Sequence, residues 1–351
     1  MTIRNLNHLF APTSVAVIGA SDKPRSVGAT VMANLLAAGF SGPVMPVNPR
    51  HASVAGVLAY PSVADLPIAP DLAVICTPPA TVPGLIAELG AKGTRAAVVL
   101  TAGLGDPADE GSLARAMLEA ARPYLLRILG PNCVGLIVPG IGLNASFAPG
   151  GAKAGNIAFV SQSGALCTAV LDWADAQGIG FSRFVSLGDT RDVDFGDVID
   201  DLASDPTTKA ILLYIESIAQ MRKFLSAARA ASRNKPIVAV KAGRVAEAAK
   251  AAHSHTGALA GADAAFDAAL ARAGVVRVRD IDALFDVVET LARVRRVEGD
   301  RLLIVTNGGG VGVMAVDALI EGGGHLATLS EEGREKLDAV LPATWSRANP
   351  V

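Results

Sequence analysis

Continuous apolar runs alternate with segments of helical spacing through the first part of the chain, and each run ends near glycine, proline or a small polar residue. Strands that are buried on both faces have this pattern, because neither face is exposed to water and every position is therefore apolar. The pattern predicts an α/β fold with a doubly wound parallel sheet. The segments are SVAVIGAS (14–21), GATVMANLLAAG (28–39), PVMPVNPR (43–50), DLAVICTPP (71–79), VPGLIAELGAKG (82–93), AAVVLTAG (96–103), SLARAMLEAARPY (112–124) and RILGPNCVGL (127–136).

The alternation restarts after a stretch rich in glycine, alanine and proline, which predicts a linker between two domains. The later strands are NIAFVSQSG (156–164), FSRFVSLG (181–188), KAILLYIES (209–217) and PIVAVKAG (236–243). A third unit begins at RLLIVTNGGGVGV (301–313), again with a strand and a glycine turn. The chain after it is too short for a typical doubly wound domain. We therefore expect a Rossmann-like domain over 1–141, a linker over 142–155, a second domain over 156–298 and a truncated third over 299–351. The ending also favours a piece of a fused protein over a natural subunit.

Composition narrows the class of protein. The 351 residues are 51% hydrophobic, include 36 glycines and carry a net charge of −2. With no polybasic stripe or aromatic platform in the sequence, this charge argues against nucleic acid as the main partner. The N-terminus lacks the layout of a signal peptide, and no apolar run is long enough to predict a membrane span. The cysteines are few, odd in number and far apart: Cys76, Cys133 and Cys167. They predict neither a disulfide framework nor a metal site, and the expected compartment is the cytoplasm.

The carboxyl ends of the predicted strands form one edge, where ligands bind in such sheets. The turn VIGASDKPRSVG lacks the GxGxxG pattern of dinucleotide enzymes, and the second strand ends at Asn48 and Arg50 instead of a ribose-binding acid. This argues against NAD and for a phosphorylated ligand, although Gly19 could also serve only the turn. The candidate binding residues are Gly19, Ala20, Ser21, Lys23, Arg25, Asn48, Arg50, Pro78, Thr101 and Asn132.

Two strand ends in the second domain carry further candidates. The sequence SQSGAL places Ser161, Gln162, Ser163 and Gly164 between a strand and a helix, where exposed N–H groups and the helix dipole favour an anion. N-capping of the helix is the alternative. Glu216 ends the strand YIES and could orient an imidazole, or it could be an ordinary loop acid.

Two of the five histidines lie in AAHSHTGALAG (251–261). A metal site, a general base and a covalent phosphoryl carrier would each use such a histidine, and a structural role is also open. No HExxH motif or nearby acid supports a metal. The glycine and hydroxyl residues around His255 favour a backbone loop with an exposed, reactive ring nitrogen.

The motifs together resemble the NDP-forming acyl-CoA synthetases, the superfamily that includes succinyl-CoA synthetase. The resemblance covers essentially the whole chain and rests on LFAPTSVAVIGAS, PVNPR, CTPP, GPNCVGL, VSQSGAL, DVDFGDVIDDLASDP and KAGR followed by SHTGALAG. It implies a CoA-binding first domain and a flavodoxin-like second domain with His255 as a phosphohistidine and His253 as a bystander. It further implies that 299–351, which contains TNGGGVGV, is the truncated start of a second flavodoxin-like domain. It also implies that Glu216 pairs with the histidine ring, and that Ser161–Gly164 begin the helix that faces the phosphate. The candidate residues of the first edge would then lie near CoA.

The resemblance implies a short-chain, acetyl-like acyl-CoA or acid, and phosphate, as substrates, and an oligomeric assembly. ATP or GTP, or their diphosphates, with Mg²⁺ would bind in an ATP-grasp domain or subunit that we do not find in the chain. Asp189 departs from the asparagine that relatives often carry, which leaves the role of its loop open. Two alternatives are a catalytically inactive CoA-binding module of a fused protein acetyltransferase and, weakened by the missing acid, an NAD-dependent oxidoreductase.

Overall fold

The computed structural model describes residues 3–244, 263–293 and 299–351. The strands of its first sheet are β1 Val15–Ile18, β2 Val44–Val47, β5 Leu72–Ile75, β6 Ala96–Val99 and β7 Arg127–Leu129. All five are parallel, and their order across the sheet is β2-β1-β5-β6-β7. A short antiparallel pair, β3 Ser53–Val54 and β4 Val57–Leu58, follows β2. The helices of this part are α1 Asn7–Phe10, α2 Val27–Ala37, α3 Val82–Lys92 and α4 Leu113–Ala121.

Burial on both faces explains the continuous apolar runs. In β1, Val15 and Val17 pack in a core with residues of α1 and α2, whereas Ala16 and Ile18 pack with residues of α3 and α4. Successive side chains of a strand point to opposite faces, so a strand between two helical layers needs an apolar residue at every position. The prediction of a parallel, doubly wound sheet is confirmed.

Among the described residues, the second sheet has seven strands. Five are parallel: β10 Ala154–Ser161, β11 Phe181–Ser186, β12 Ala210–Ile215, β13 Ile237–Lys241 and β14 Val275–Val278. Two are antiparallel, β8 Gly135–Val138 and β9 Leu143–Ser146. Their order across the sheet is β14-β13-β12-β10-β11-β8-β9. Its helices are α5 Gly164–Gln177, α6 Phe195–Ser204, α7 Met221–Ala231, α8 Asp263–Arg272 and α9 Ile281–Arg293. The parallel strands follow the flavodoxin-like order, as expected.

The segment 142–155, which the sequence predicts as a linker, forms regular secondary structure. The segment contains β9 and the start of β10. All four residues of β9 are buried, and the Asn34 side chain of α2 donates hydrogen bonds to the Ser146 and Ala148 carbonyls at 2.8 and 3.0 Å. The hairpin β8–β9 therefore extends the second sheet and packs against a helix of the first.

A buried ion-pair cluster connects β7 to α6 and α7. Asp197 is 1% exposed and accepts hydrogen bonds from Arg127 at 3.0 Å and from Lys223 at 2.6 Å. It also forms a capping box with Asp194 at the start of α6. Burial raises the pKa of Asp197, and the neighbouring ammonium and guanidinium groups oppose that shift. A buried carboxylate without a partner would cost free energy, and the two cations offset that cost at Asp197.

The N-terminal segment is fixed to the first sheet through Asp71. Its carboxylate accepts hydrogen bonds from the Thr13 hydroxyl at 2.6 Å and amide at 2.8 Å, and lies 3.1 Å from His8 Nδ1. Burial acts to raise the pKa of Asp71, but these hydrogen bonds and the nearby His8 bring it below its ordinary value. The ionised carboxylate is therefore favoured by the folded chain.

Residues 294–351 form a second compact unit, distinct from Met1–Arg293. It contains the parallel pair β15 Arg301–Leu302 and β16 His325–Leu326, and the helices α10 Gly309–Glu321 and α11 Glu331–Asp338. The glycine turn before α10 is closed by Thr306, whose hydroxyl accepts from the Gly308 amide at 3.0 Å. Across all the residues that are described in both units, no helix is long and apolar enough to cross a membrane.

Candidate functional site

The turn after β1 brings two backbones closer than any side chain permits. Gly19 has φ +87°, and a Cβ there would lie 2.8 Å from Thr77 Cγ2. A Cβ on Gly28 would lie 2.1 Å from the Gly19 carbonyl oxygen. Gly28 therefore lets the start of α2 pack against the end of β1, while Gly19 adopts the left-handed turn and leaves room for Thr77. This edge lies at the switch point between β1 and β5, where open parallel sheets bind ligands.

Hydrogen bonds fix the remaining loops of this edge. Asn48 Nδ2 donates to the Ala20 carbonyl at 2.7 Å, and its Oδ1 accepts from the Arg50 amide at 2.8 Å. Ser21 Oγ accepts from the Lys23 amide at 3.0 Å. The Asn48 side chain therefore joins the loops after β1 and β2. It also fixes the backbone of Arg50, whose side chain is exposed.

The loops after β5 and β6 are joined in the same way. The Thr101 hydroxyl donates to the Thr77 carbonyl at 2.7 Å, and the Thr101 carbonyl accepts from the Asn132 amide at 3.0 Å. Pro78 precedes a short 3₁₀ turn and is exposed. Lys23 and Arg25 are exposed in the loop after β1. The predicted residues thus occupy the loops at the carboxyl ends of the five strands, with cations available for an anionic ligand.

The start of α5 has the geometry of a helix N-terminus with spare donors. Ser163 is the N-cap, and its Oγ accepts from the Leu166 amide at 3.3 Å. Ser161 Oγ accepts from the Ser163 amide and donates to the Ser163 carbonyl, both at 3.0 Å. The two hydroxyls therefore shape the turn and cap the helix, while the dipole still favours an anion at Gly164.

Gln162 connects this turn to the loop that carries Glu216. Its Oε1 accepts from the Glu216 amide at 2.7 Å and from the Ser217 amide at 3.0 Å. The side chain of Gln162 is thus a brace between β10 and β12, the two strands at the switch point of the second sheet. Glu216 lies within electrostatic range of Lys241. Burial lowers the pKa of the Lys241 ammonium, and the carboxylates of Asp263 and Glu216 offset only part of that shift.

Residues from the ligand edges of both sheets line one cavity of about 560 Å³, the shared cavity. Asn132 enters it from the first sheet, and Gln162, Ser163, Gly164 and Glu216 enter it from the second. Sequence reasoning placed these residues on two separate edges. The other lining residues are Leu100, Asp106, Cys133, Val134, Phe147, Gly188, Asp189, Thr190, Arg191 and Ser217.

The loop after β11 closes against the loop before β8 by direct backbone contact. Gly188 has φ +58°, and a Cβ on it would lie 2.3 Å from the Pro131 carbonyl oxygen. The next residue, Asp189, donates its amide to that same carbonyl at 2.9 Å and accepts from Asn132 Nδ2 at 3.0 Å. The departure at Asp189 is therefore accommodated, because its carboxylate accepts the amide hydrogen of Asn132.

Cysteine chemistry in the cavity is disfavoured. Cys133 is 3% exposed, and burial raises the pKa of its thiol. A neutral thiol is a weak nucleophile, so Cys133 serves as part of the apolar wall with Leu100 and Val134. Among the described residues, no group of three or more histidine, cysteine or acidic side chains is arranged to hold a metal ion.

Sequence reasoning missed Arg191 as a site residue. It lines the cavity, and a guanidinium nitrogen donates to Asp106 Oδ2 at 3.1 Å. No motif marked it, because an arginine between two other polar residues of a loop has no distinctive spacing. The predicted His255, together with His253, lies outside the described residues.

Comparisons with known proteins agree with both sheets. A CoA binding domain model matches residues 13–139, and a succinyl-CoA ligase like flavodoxin domain model matches 154–291. The chain is 41% identical, over 99% of its length and 76% of the relative, to the alpha subunit of acetate–CoA ligase [ADP-forming] I of Pyrococcus furiosus. The chain belongs to the NDP-forming acyl-CoA synthetase family.

Other members of the NDP-forming acyl-CoA synthetase family extend the comparison. Acetate–CoA ligase [ADP-forming] I of Archaeoglobus fulgidus is 43% identical over 99% of the chain, which spans about half (50%) of that relative's length. The dinucleotide-forming acetyl-coenzyme A synthetase 1 of Candidatus Korarchaeum cryptofilum, solved in complex with phosphate and ADP, superposes with a TM-score of 0.94. That structure is 37% identical, and the match covers 99% of this chain and 75% of that one. Family membership confirms the resemblance stated from the motifs.

Proposed function

We propose that the chain is the CoA-binding and phosphohistidine-bearing part of an NDP-forming acyl-CoA synthetase that acts on a short-chain, acetyl-like acyl group. The observation that carries this proposal is the shared cavity, because it brings Asn132 of the CoA-binding edge beside Gly164 and Glu216. A thioester carried by CoA and a phosphate held at a helix N-terminus could meet there. The relatives named above are ligases or synthetases, so they support this function over an inactive acetyltransferase module.

The proposed role of His255 rests on the path of the chain. The Ala242 amide donates to the Ile215 carbonyl at 2.9 Å, so the exit of β13 runs beside the exit of β12, which continues into Glu216. Residues 245–262 follow from Arg244, directly after this point. A carboxylate on one ring nitrogen of His255 would leave the other nitrogen nucleophilic, and would stabilise the charged phosphohistidine.

The reaction would proceed by two transfers before the nucleotide is used. An oxygen of inorganic phosphate attacks the thioester carbonyl, the C–S bond breaks, and the CoA sulfur takes a proton. The ring nitrogen of His255 then attacks phosphorus, and the P–O bond to the acyl group breaks to release the carboxylate. Transfer of the phosphoryl group to a nucleoside diphosphate frees the imidazole. The α5 N-terminus would stabilise the phosphoryl charge at both steps.

Magnesium nucleotide would be held by an ATP-grasp domain or partner subunit, which supplies the terminal phosphoryl acceptor. The Lys23, Arg25 and Arg50 side chains would face the phosphates of CoA, and the loops with Pro78 and Thr101 would face its pantetheine arm. Gly19, Ala20, Ser21 and Asn48 would bring backbone groups close to the same ligand, as glycine-lined turns do at phosphates.

The decisive experiment is phosphorylation of His255. The chain is incubated with γ-labelled ATP and a nucleotide-binding subunit that is active with a related alpha subunit. We expect a label that is acid-labile and alkali-stable, absent from His255→Ala and kept by His253→Ala. Glu216→Gln should lower the labelled fraction, because the phosphohistidine loses its charge partner. Label retained by His255→Ala, or absent from the wild-type chain with a proven partner, would refute the proposal.

A further inference from the structure

Among the described residues that line the shared cavity, Arg191 carries the positive charge. The other charged lining residues are the acids Asp106, Asp189 and Glu216. An anion that enters this cavity meets three carboxylates. The dipole of α5 by itself contributes only about half a positive charge at its N-terminus. A further positive group would strengthen the binding of an anion, and the guanidinium of Arg191 is in place to provide it.

The loops around Arg191 hold it from two directions. Its amide donates to the Gly130 carbonyl at 3.2 Å, which fixes the backbone to the first sheet. Its guanidinium contacts Asp106 at 3.1 Å and the Gly105 carbonyl at 3.5 Å. The side chain is 22% exposed, so the charge is partly desolvated without being sealed from a ligand.

The guanidinium has unused donor capacity. Its Nε is buried and has no hydrogen-bond partner among the described residues. An arginine has more N–H groups than the two contacts to Gly105 and Asp106 occupy. The partner Asp106 is 46% exposed and belongs to the loop beyond β6, so the ion pair can exchange for another anion at small cost.

We propose that Arg191 binds the phosphate substrate in the shared cavity, where it exchanges its ion pair with Asp106 for the phosphate oxygens. Two parallel N–H groups of a guanidinium match two oxygens of a phosphate, which an ammonium group cannot do. The α5 N-terminus would contact the remaining oxygens. This inference rests on the proposed function, and it assigns the recognition of phosphate to a residue of the loop after β11.

The test measures binding of inorganic phosphate and of CoA to the full chain, by ³¹P NMR and calorimetry at constant ionic strength. Arg191→Ala should raise the Kd for phosphate by about tenfold, as expected for loss of a charged hydrogen-bond pair, and change the Kd for CoA less than twofold. Arg191→Lys should lie between Arg191→Ala and the wild type. Asp106→Asn should leave the phosphate Kd equal or lower it, because the competing carboxylate is removed.

The Asp106→Asn variant separates ligand binding from a structural role. If the ion pair served only to hold the two loops together, Asp106→Asn would weaken phosphate binding as much as Arg191→Ala does, which would overturn the inference. Equal phosphate Kd values for the wild type and Arg191→Ala, or no phosphate binding by a wild-type chain that binds CoA, would also overturn it. A wild-type chain that fails to bind CoA would instead count against the proposed function.

Discussion

The contact between Gly188 and the Pro131 carbonyl should determine much of the stability of the second sheet's ligand edge. Gly188→Ala introduces a Cβ at φ +58°, 2.3 Å from Pro131 O and 2.5 Å from Asn132 O. Both neighbours are backbone atoms, so neither can move as a flexible side chain would. The matched control is Gly178→Ala, because Gly178 has φ +68° and a Cβ there would have no neighbour within 4 Å.

The magnitude follows from the difference between these two sites. Left-handed backbone alone costs alanine about 1 kcal/mol, and Gly178→Ala should lose only that. At Gly188 the loops must also separate, which strains or breaks the Asp189–Pro131 and Asn132–Asp189 hydrogen bonds, each worth about 1 kcal/mol. Gly188→Ala should therefore lower the free energy of unfolding by about 3 kcal/mol.

Equilibrium urea unfolding followed by tryptophan fluorescence measures this difference. Trp173 of α5 stacks on Phe285 of α9 with ring centroids 4.2 Å apart, so its emission reports the packing of the second sheet. The measurement is made in a Trp345→Phe background, since Trp345 is the other of the two tryptophans. A loss at Gly188 no larger than the loss at Gly178 would show that the close approach contributes nothing.

Two further predictions concern charge. Asp197→Ala should lower the free energy of unfolding by about 2 kcal/mol, because Arg127 and Lys223 lose the carboxylate that they share, although Arg127 keeps Asp192 and Lys223 keeps Asp194. Asp175→Ala, at a surface pair, should lose less than about 1 kcal/mol in the same urea assay. The pKa of Asp71 is lowered by folding, so its contribution is present above the ordinary pKa of 3.8 and is lost as pH falls through the lower folded value. The stability difference between the wild type and Asp71→Asn should therefore shrink below pH 3.8; a difference that grows there would contradict this assignment.

The sequence by itself determined the parallel strands of the two sheets, apart from β14, and the positions of their ligand edges. Apolar runs predicted the strands because both faces of such a strand are buried, as in Val15–Ile18. The ends of those runs placed Gly19, Gly164 and Glu216 at carboxyl edges, since a parallel sheet puts all its strand ends on one side. Family motifs then gave expected roles to these residues, which local spacing alone left open.

The tertiary structure decided which residues share a cavity. Part of the hairpin β8–β9 was predicted as a linker, because glycine, alanine and proline dominate the sequence around it. In the structure β8 pairs with β11, and this pairing places Asn132 beside Asp189. Gln162 was predicted only to contact phosphate, whereas it also braces the amides of Glu216 and Ser217. Long-range pairing has no signature in local periodicity, which reports only the burial of each segment.

Arg191 shows the same limit most directly. Its neighbours in sequence predicted nothing, because its partner Asp106 and the Gly130 carbonyl are far away along the chain. A loop charge acquires a role only when folding brings the opposite charge and the cavity wall to it. The sequence determined most of the parallel strands and most residues of their edges, and packing of one sheet on the other determined that these edges meet in a common site.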